Sequence, residues 1–453
     1  MRNSIIALLF WAIIVGSDWL ITDDFSLFYA VLFFILTLFI TLFFESYKKI
    51  YLFLVLLSTP HHLFFNYFHR EINPVDIYLF YTHLLETFES FFAMPTLFIS
   101  SLILLIIAII FINLIPKLET YDIKLWLKYA LFIVLLAVNI NSTMTTKLLY
   151  ALSNLPFRET SYLITKEIPL YPKREAGLNI ILLIGESMKY SNYIETKLKT
   201  QNFFYKKIYS GATNTDVAVP LLLNNKTNPL SLNHHNESNL FRLAKKNHHT
   251  TSFISIQSDK SLQHIRPYLQ KEFIDYYKSH SKKEREKKFD FSLLEELNKI
   301  DFTQQNFIVL QQIGQHSPYR YFLGEKSKMP TVNYLKSVEY SFKLYSQIYQ
   351  NLLATKKLFV FIYTSDHGEF TGEDGRYGHN SFDATIYEVP LFVVSNIKLP
   401  LNYKNIKSHH HVSQYLTYLL GYENNLTFSK ENPIINGTTV TREDGFITIK
   451  EPK

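Results

Sequence analysis

Five long apolar segments fill the first third of the chain, at residues 4–22, 26–44, 49–68, 92–115 and 124–142. A helix needs about 20 apolar residues to cross the hydrocarbon core of a bilayer. The segments therefore predict a domain of five transmembrane helices, residues 1–142. The alternative is a set of buried core helices in a soluble protein, and the number, length and aromatic content of the segments argue against it.

Lysines in the connecting loops set the predicted orientation. Lys48 and Lys49 follow the second segment, and Lys117 and Lys124 follow the fourth, whereas the loop after the first segment carries no Lys or Arg. Because basic loops stay on the cytoplasmic side, the N-terminus is predicted inside and everything after residue 142 outside the cytoplasm. The first segment lacks a small-residue cleavage site, which predicts a retained anchor rather than a signal peptide.

The pattern changes after the last apolar segment. Residues 143–176 predict a connector, in which TTKLLYALSNL forms an interfacial amphipathic helix. Residues 177–453 predict an α/β/α domain with a mostly parallel central sheet, because short apolar runs alternate there with the helical candidates 238–247 and 333–356. The runs are NIILLIG (179–185), TSFISI (251–256), NFIVLQQIG (306–314), KLFVFIYTS (357–365) and VPLFVVS (389–395).

Composition excludes several function classes. The 453-residue chain has no cysteine, so thiolate catalysis, disulfides and cysteine-ligated zinc are excluded. The net charge of +7 fits work beside anionic lipids better than nucleic-acid binding, because no dense basic stripe occurs.

Polar residues follow several of the predicted strands. Glu186 follows the first run, His316 follows the third, Asp366 and His367 follow the fourth, and His379 lies on the next loop. Ligands bind outside the carboxyl ends of strands in open α/β sheets, and carboxylate and imidazole groups are ligands of catalytic zinc. One Asp-His pair among 16 histidines indicates little alone, but several such groups at strand ends predict a metal site.

Five motifs carry a resemblance to a known family. NIILLIGES, TNTDVAVP, QIGQHSP, YTSDHGE and GEDGRYGH stand in the order used by bacterial phosphoethanolamine transferases, which modify lipid A and lipooligosaccharide. The chain resembles that family, a branch of the alkaline phosphatase/sulfatase-like superfamily, over residues 179–395. The resemblance implies a multi-pass protein of the bacterial inner membrane with a periplasmic catalytic domain.

The resemblance also implies roles for single residues. Glu186, Thr215, Asp366 and His367 match the family's ligands of Zn²⁺, and Thr215 also matches its nucleophile. Thr213 is the alternative hydroxyl, but the spacing of Thr215 to the following proline matches the family pattern.

Four further positions are expected around the substrate. His316 and His379 match histidines that hold the substrate phosphate or a second metal, and Gln257 and Lys260 are expected near the head group. Many relatives carry a cysteine pair around the nucleophile, which this chain lacks. The triplet His409-His410-His411 is predicted to be a surface cluster at a helix start, because no partner ligands lie nearby in sequence.

The implied reaction moves phosphoethanolamine from phosphatidylethanolamine onto Thr215, releases diacylglycerol, and passes the group to an envelope acceptor. Lipid A, core oligosaccharide, another glycan and a surface protein all stay open as acceptors, and lipid A would link the protein to polymyxin resistance. A monomer is predicted, without nucleic-acid partners. The alternatives are a phosphoglycerol transferase of the same superfamily and, in a different class, an inactive membrane sensor or scaffold.

Overall fold

The computed structural model describes most of the chain in two compact units, Met1–Arg158 with Asp374–Tyr377, and Glu159–Glu373 with Gly378–Lys453. Of the predicted connector only residues 170–174 are described, so the predicted interfacial helix lies outside the described residues. The described residues are 2–22, 27–68, 72, 76–77, 80, 95–114, 120–121, 123–138, 170–174, 177–200, 203–372, 375–399, 401–422, 428–437 and 445–450.

Helices within the described residues of the first unit coincide with the five predicted segments. They are α1 (Arg2–Thr22), α2 (Leu27–Phe43), α3 (Tyr47–Phe68), α4 (Pro95–Leu114) and α5 (Leu125–Val138). In the part of the chain that the structure describes, no helix has both the length and the apolar character that crossing a membrane requires. The five membrane spans therefore stay a prediction.

The first unit has its own core, formed by aromatic and aliphatic side chains of α1, α2, α3 and α4. The rings of Phe10 and Tyr51 stack with centroids 3.7 Å apart. The hydroxyl of Tyr51 donates to the carbonyl of Thr37 at 2.9 Å, and the indole of Trp11 donates to the carbonyl of Ala30 at 2.6 Å. These contacts join α1, α2 and α3 while leaving few buried polar atoms without a partner, as an apolar surrounding requires.

The second unit is built on one sheet, which contains seven strands among the described residues. Its order is β2-β9-β6-β1-β5-β3-β4, and only β9 runs antiparallel to its neighbours. The prediction of a mostly parallel sheet is confirmed. The strands are β1 (Asn179–Gly185), β2 (Phe204–Tyr209), β3 (Thr250–Ser255), β4 (Tyr276–Lys278), β5 (Asn306–Gln311), β6 (Phe359–Ser365), β7 (Phe370–Thr371), β8 (Tyr377–Gly378), β9 (Glu388–Ser395), β10 (Ile434–Asn436) and β11 (Phe446–Thr448), of which β7, β8, β10 and β11 lie outside this sheet.

Helices cover both faces of the sheet. Ile180 and Leu182 of β1 share one core with Leu416 of α13, while Tyr345 of α11 packs on the opposite face with its ring centroid 4.6 Å from that of Tyr363. The helices of this unit are α6 (Asn192–Lys199), α7 (Thr215–Asn224), α8 (Leu240–Lys246), α9 (Lys282–Lys288), α10 (Ser292–Leu297), α11 (Pro330–Ala354), α12 (Ala384–Tyr387) and α13 (His409–Leu419).

All five apolar runs form strands of this sheet, and both helical candidates form helices, α8 and α11. The strand β2 was not expected, because Lys206 and Lys207 interrupt its apolar pattern. It lies at the edge of the sheet, where one side of the strand pairs with no other strand of the described residues and lysine is tolerated.

Candidate functional site

Two neighbouring strands carry the acidic residues of the candidate site. β1 and β6 pair in parallel with Gly185 opposite Ser365, so Glu186 and Asp366 follow at the same edge of the sheet. The backbone N–H of Asp366 donates to the carbonyl of Gly185 at 3.0 Å, and the N–H of Ser187 donates to the Asp366 carboxylate at 3.1 Å. The register of the sheet therefore brings the two carboxylates together, although Glu186 and Asp366 lie 180 positions apart in the sequence.

The carboxylates of Glu186 and Asp366 and the imidazole of His367 form one buried group. Their ligand atoms all lie within 4.8 Å of one another, and the three residues are at most 2% exposed. His367 Nε2 lies 3.4 Å from Glu186 Oε1 and 3.5 Å from Asp366 Oδ2. Among the described residues, this is the group of acidic and histidine side chains whose geometry could hold a metal ion.

The hydroxyl of Thr215 joins this group. Its Oγ1 lies 2.6 Å from Asp366 Oδ2, 3.2 Å from both carboxylate oxygens of Glu186 and 3.3 Å from His367 Nε2. Thr213 differs, because its buried Oγ1 has no hydrogen-bond partner among the described residues. The structure thus brings the hydroxyl of Thr215, and not that of Thr213, to the carboxylates.

Thr215 is the first residue of α7, and local sequence explains why the helix begins there. Asn214 is extended (φ −151°, ψ 147°), and its side chain accepts a hydrogen bond from the N–H of Asp216. Asparagine is a preferred N-cap because its side-chain oxygen satisfies a backbone N–H that the helix leaves free. The cap therefore holds the Thr215 hydroxyl at the positive end of the helix dipole, where an anion is stabilised.

Burial and mutual charge govern the protonation of the group. Burial and the adjacent carboxylate of Glu186 raise the pKa of Asp366 to about 7. Burial also opposes ionisation of Glu186, but the hydrogen bond and charge of His367 lower the pKa of that carboxyl. Burial disfavours the charged form of His367, yet Asp366 and Glu186 raise its pKa to about 10. Two carboxylates side by side in a buried site thus favour a nearby positive charge.

These side chains fit a zinc ion by their chemistry. Carboxylate and imidazole donors are the ligands of catalytic zinc sites. His367 Nδ1 lies 2.8 Å from the carbonyl of Gly368, which assigns the proton to Nδ1 in the neutral ring and leaves the lone pair of Nε2 facing Glu186 and Asp366. A second hydrogen bond of this kind fixes the ring orientation of metal-ligating histidines.

Gln257 lies in the site but contacts Glu186. Its Nε2 donates to Glu186 Oε2 at 2.9 Å, and the hydroxyl of Ser187 donates to Oε1 at 3.1 Å. Lys260 is exposed, and its ammonium makes no hydrogen bond or ion pair with the residues that the structure describes. Of the two residues expected near a head group, the structure therefore brings only Gln257 to the carboxylates.

The two predicted histidines border the group. The rings of His379 and His367 have centroids 4.3 Å apart, and His379 Nε2 lies 3.3 Å from the side-chain nitrogen of Asn214. His316 is half-buried, its Nδ1 lies 2.6 Å from the carbonyl of Ser317, and its charge acts on Glu186. His379 therefore lies beside a ring of the group, and His316 lies close enough for its charge to act on Glu186.

Two residues that pack next to the backbone of Glu186, or hold the loop beside it, were not predicted from the sequence. Gly314 has φ +46°, and a Cβ there would lie 3.0 Å from the backbone nitrogen and oxygen of Glu186. The buried carboxylate of Asp290 accepts from the N–H groups of Ile313 and Gly314 at 2.8 and 3.0 Å. The glycine beside Gln315 was a visible signal of close backbone approach. Asp290 gave no such signal, because it ends the charged run KSHSKKEREKKFD (278–290), which has the composition of a solvated segment.

The prediction of a surface cluster at His409-His410-His411 is wrong in one respect. The triplet does begin a helix, α13, but His409 is 1% exposed and His411 is 4% exposed. The N–H of Gly211 donates to Nδ1 of His409 at 3.2 Å, so the proton lies on Nε2, which donates to the carbonyl of Ser365 at 2.9 Å. Burial lowers the pKa of His409 to about 4. A neutral ring therefore links the loop before Thr215 to the strand end before Asp366.

Replacing His409 by leucine is expected to lower the rate of any reaction at Thr215 by about tenfold or more, because two backbone groups lose their partner and each buried loss costs about 1–3 kcal/mol. Single-turnover rates and urea unfolding would measure both effects. The matched control is His411→Leu on the same helix, also buried, whose Nδ1 accepts from Lys407 N at 3.2 Å. Equal loss of rate in both variants would contradict a positioning role for His409.

The sheet topology, the strand-end site and the hydroxyl at a helix N-terminus together define a protein of the alkaline phosphatase/sulfatase-like superfamily. The sulfatase family profile matches residues 178–422, which is more than half of the chain, and the chain belongs to that family. The superfamily predicted from the motifs is confirmed.

Several of the solved structures that are similar to this chain are phosphoethanolamine transferases. The integral membrane lipooligosaccharide phosphoethanolamine transferase A (EptA) from Neisseria meningitidis is 14% identical with a TM-score of 0.59, and the match covers 95% of this chain and 97% of that one. This likeness shows a shared fold. No curated protein matched the sequence.

Two isolated periplasmic domains also match. That of phosphoethanolamine transferase EptC from Campylobacter jejuni is 20% identical, with a TM-score of 0.43 and coverage of 54% of this chain and 91% of that one. That of EcEptC from Escherichia coli, in complex with Zn, is 15% identical, with a TM-score of 0.49 and coverage of 62% and 96%.

Proposed function

We propose that this chain is a zinc-dependent transferase that moves phosphoethanolamine from phosphatidylethanolamine to an envelope acceptor, with Thr215 carrying the group between the two. The observation that carries the proposal is the position of Thr215 Oγ1, at the N-terminus of α7 and between 2.6 and 3.3 Å from Glu186, Asp366 and His367. A hydroxyl placed among metal ligands and beside a positive helix end suits attack on a phosphate ester.

Glu186, Asp366, His367 and Thr215 would hold the zinc ion. Bound zinc supplies a lowered pKa for a coordinated hydroxyl and polarises a phosphoryl oxygen. The side chains of the site then divide the remaining work. Gln257 and Ser187 orient the carboxylate of Glu186 through hydrogen bonds of 2.9 and 3.1 Å.

Two bonds change in each half of the reaction. In the first half, Thr215 Oγ1 gives its proton to a carboxylate of the site, to which it donates a hydrogen bond, and forms a bond to phosphorus. The bond from phosphorus to the diacylglycerol oxygen breaks, and that oxygen takes a proton. His316 and His379 border the group and can supply the proton from an imidazolium. In the second half, an acceptor oxygen forms the new bond to phosphorus, loses its proton, and Thr215 Oγ1 leaves with a proton to restore the hydroxyl.

A donor experiment tests the proposal. Zinc-loaded protein is mixed with phosphatidylethanolamine vesicles without acceptor. Intact-mass spectrometry should detect a gain of one phosphoethanolamine group, with release of diacylglycerol. Digestion should then place the added mass on the peptide that contains Thr215. Vesicles of phosphatidylglycerol are the matched control. A phosphoglycerol adduct formed faster than the phosphoethanolamine adduct would replace this proposal with the phosphoglycerol alternative, and no adduct from either lipid would leave the covalent step without support.

We also propose that residues 1–142 form five membrane spans that hold the catalytic unit at the periplasmic face of the inner membrane. Apolar side chains on the outside of α4 support this proposal, including Ile103, Ile106 and Ile110, which are 48–53% exposed. Contiguous exposed apolar surface marks contact with a membrane or another protein. The same residues would otherwise face water at a cost in free energy.

A reporter that is active only in the periplasm, fused after Lys453, should be active in cells. The reason is that lysines after the second and fourth segments place the N-terminus inside and the C-terminus outside. A cytoplasmic reporter fused at the same position is the control and should be silent. The reverse pattern would contradict the predicted topology. It would also contradict the proposal that the site reaches phosphatidylethanolamine in the periplasmic leaflet of the inner membrane.

A further inference from the structure

Three cationic side chains gather around the segment that follows His316. Arg320 and Lys326 belong to this segment, and Arg285 reaches it from α9. The Nε atoms of Arg285 and Arg320 are buried and have no hydrogen-bond partner among the described residues. Within the same part of the chain, none of the three cations forms an ion pair. Surface cations of folded proteins do not need a partner, but buried guanidinium N–H groups do.

Aromatic rings connect two of the three cations, Arg285 and Lys326, to His316, and the rings of Phe289 and Tyr321 have centroids 6.2 Å apart. The Arg285 guanidinium lies 5.4 Å from the ring centroid of Tyr321, and that ring lies 6.2 Å from His316. Lys326 Nζ lies 5.5 Å from the ring centroid of Phe289 and 3.7 Å from that of Phe322. Rings of this kind hold cations by their negative faces, so these two cations have a defined arrangement at the border of the site.

The described carboxylates do not neutralise this cluster. The positive charge of Arg285 acts on the carboxylate of Asp290. The oxygens of Asp290, however, accept hydrogen bonds from Ile313, Gly314 and Gln312 and not from Arg285. Burial and the like charges of Lys336 and Arg320 lower the pKa of Lys326. Like charges held together cost free energy, and an anion bound among them would offset that cost.

We propose that Arg285, Arg320 and Lys326 form a subsite for an anionic group, a phosphate or carboxylate, on the acceptor. This inference rests on the proposed function. Guanidinium groups present paired donors that match phosphate and carboxylate geometry. The donor phosphorus must lie against Thr215 Oγ1 to be attacked, at the N-terminus of α7. None of the three cations belongs to the group around Thr215, and Arg285 and Lys326 lie on the far side of His316 in the aromatic contacts described above. The cluster is therefore available to bind the second substrate, the acceptor.

The test separates the two half-reactions. Protein carrying phosphoethanolamine on Thr215 is mixed with glucosamine 6-phosphate or with glucosamine, and loss of the adduct is followed by mass spectrometry. The anionic sugar should consume the adduct about tenfold faster, as one charge-assisted hydrogen bond supplies. The double variant Arg285→Gln, Lys326→Gln should lose this preference. It should still form the adduct from phosphatidylethanolamine within about twofold of the wild-type rate, a change well below the rate change expected when one hydrogen bond is lost.

Matched controls lie on the same helix. Lys283 and Lys287 of α9 are exposed, and their double replacement by glutamine removes the same charge without touching the cluster. This control should keep the preference for the anionic sugar. If neither sugar consumes the adduct, calorimetric binding of glucosamine 6-phosphate decides: binding by the wild type that the cluster variant loses supports the subsite, and no binding or equal binding overturns it.

Other results would overturn the subsite. Equal rates with the two sugars in the wild-type protein would do so, and so would a preference that survives in the cluster variant. A variant that slows adduct formation as much as adduct consumption would assign the cluster to the donor. A variant that loses only its binding to vesicles containing phosphatidylglycerol would assign the cluster to a membrane surface. Failure of the wild type to form the adduct would instead count against the proposed function.

Discussion

Replacing Thr215 by alanine is expected to reduce phosphoethanolamine transfer to less than about one-thousandth of the wild-type rate, as loss of a nucleophile does in enzymes with a covalent intermediate. The hydroxyl lies 2.6 Å from Asp366 and 3.3 Å from His367, and among the described residues no other hydroxyl of a threonine contacts both. Diacylglycerol release from phosphatidylethanolamine vesicles would measure the rate.

The fold should tolerate this change. Thr215 is half-buried, so the free energy of unfolding should fall by no more than about 1 kcal/mol. Thr213→Ala is the matched control, because Thr213 lies two positions away with a buried hydroxyl that has no described partner; it should retain most of the activity. A Thr215→Ala protein that still transfers at near the wild-type rate would require another nucleophile or direct transfer without a covalent intermediate.

Replacing Asp366 by asparagine is expected to remove tightly held zinc and, with it, the activity. Loss of a supporting residue around a metal site already costs about 10–100-fold in affinity, and loss of a ligand should cost at least as much. Elemental analysis should find about one zinc per chain in the wild-type protein, as a single catalytic site requires. In the variant the zinc content should fall well below that value.

Thermal unfolding gives a second readout that does not depend on activity. Zinc added to metal-free wild-type protein should raise Tm, because a ligand that binds only the folded state stabilises it, and the Asp366→Asn protein should respond much less. Glu296→Gln is the control for loss of a buried carboxylate outside the group, because Glu296 is 6% exposed and accepts a hydrogen bond from Lys299 at 2.8 Å; this variant should keep its zinc. Wild-type protein that is fully active without metal would contradict the zinc assignment.

Five strands of the sheet, β1, β3, β5, β6 and β9, were predictable because they are largely buried on both faces, and that burial demands continuous apolar runs. The run at 179–185 coincides with β1, Asn179–Gly185. Edge strand β2 escaped prediction, since one open side lets lysine replace apolar residues. The ligand residues were also visible, because polar groups directly after buried strands stand out from the pattern.

The role of neighbours around the site was less predictable. Gln257 was expected near a head group, but its amide donates to Glu186. His409 was expected at the surface, but it lies buried between Gly211 and Ser365. Both assignments depend on which distant segment covers the side chain, and the residue types alone are compatible with either place.

The sequence by itself determined the class of fold, the order of its elements and the residue types that stand at the strand ends, because local periodicity and composition record which faces are buried. The tertiary structure decided which of those residues meet. Parallel pairing of β1 and β6 sets Glu186 beside Asp366, and the Asn214 cap turns Thr215 toward them. The choice of Thr215 over Thr213 and the gathering of Arg285 beside Tyr321 likewise follow from contacts between segments far apart in the chain. Such contacts depend on the register and packing of whole elements, which no short stretch of sequence encodes.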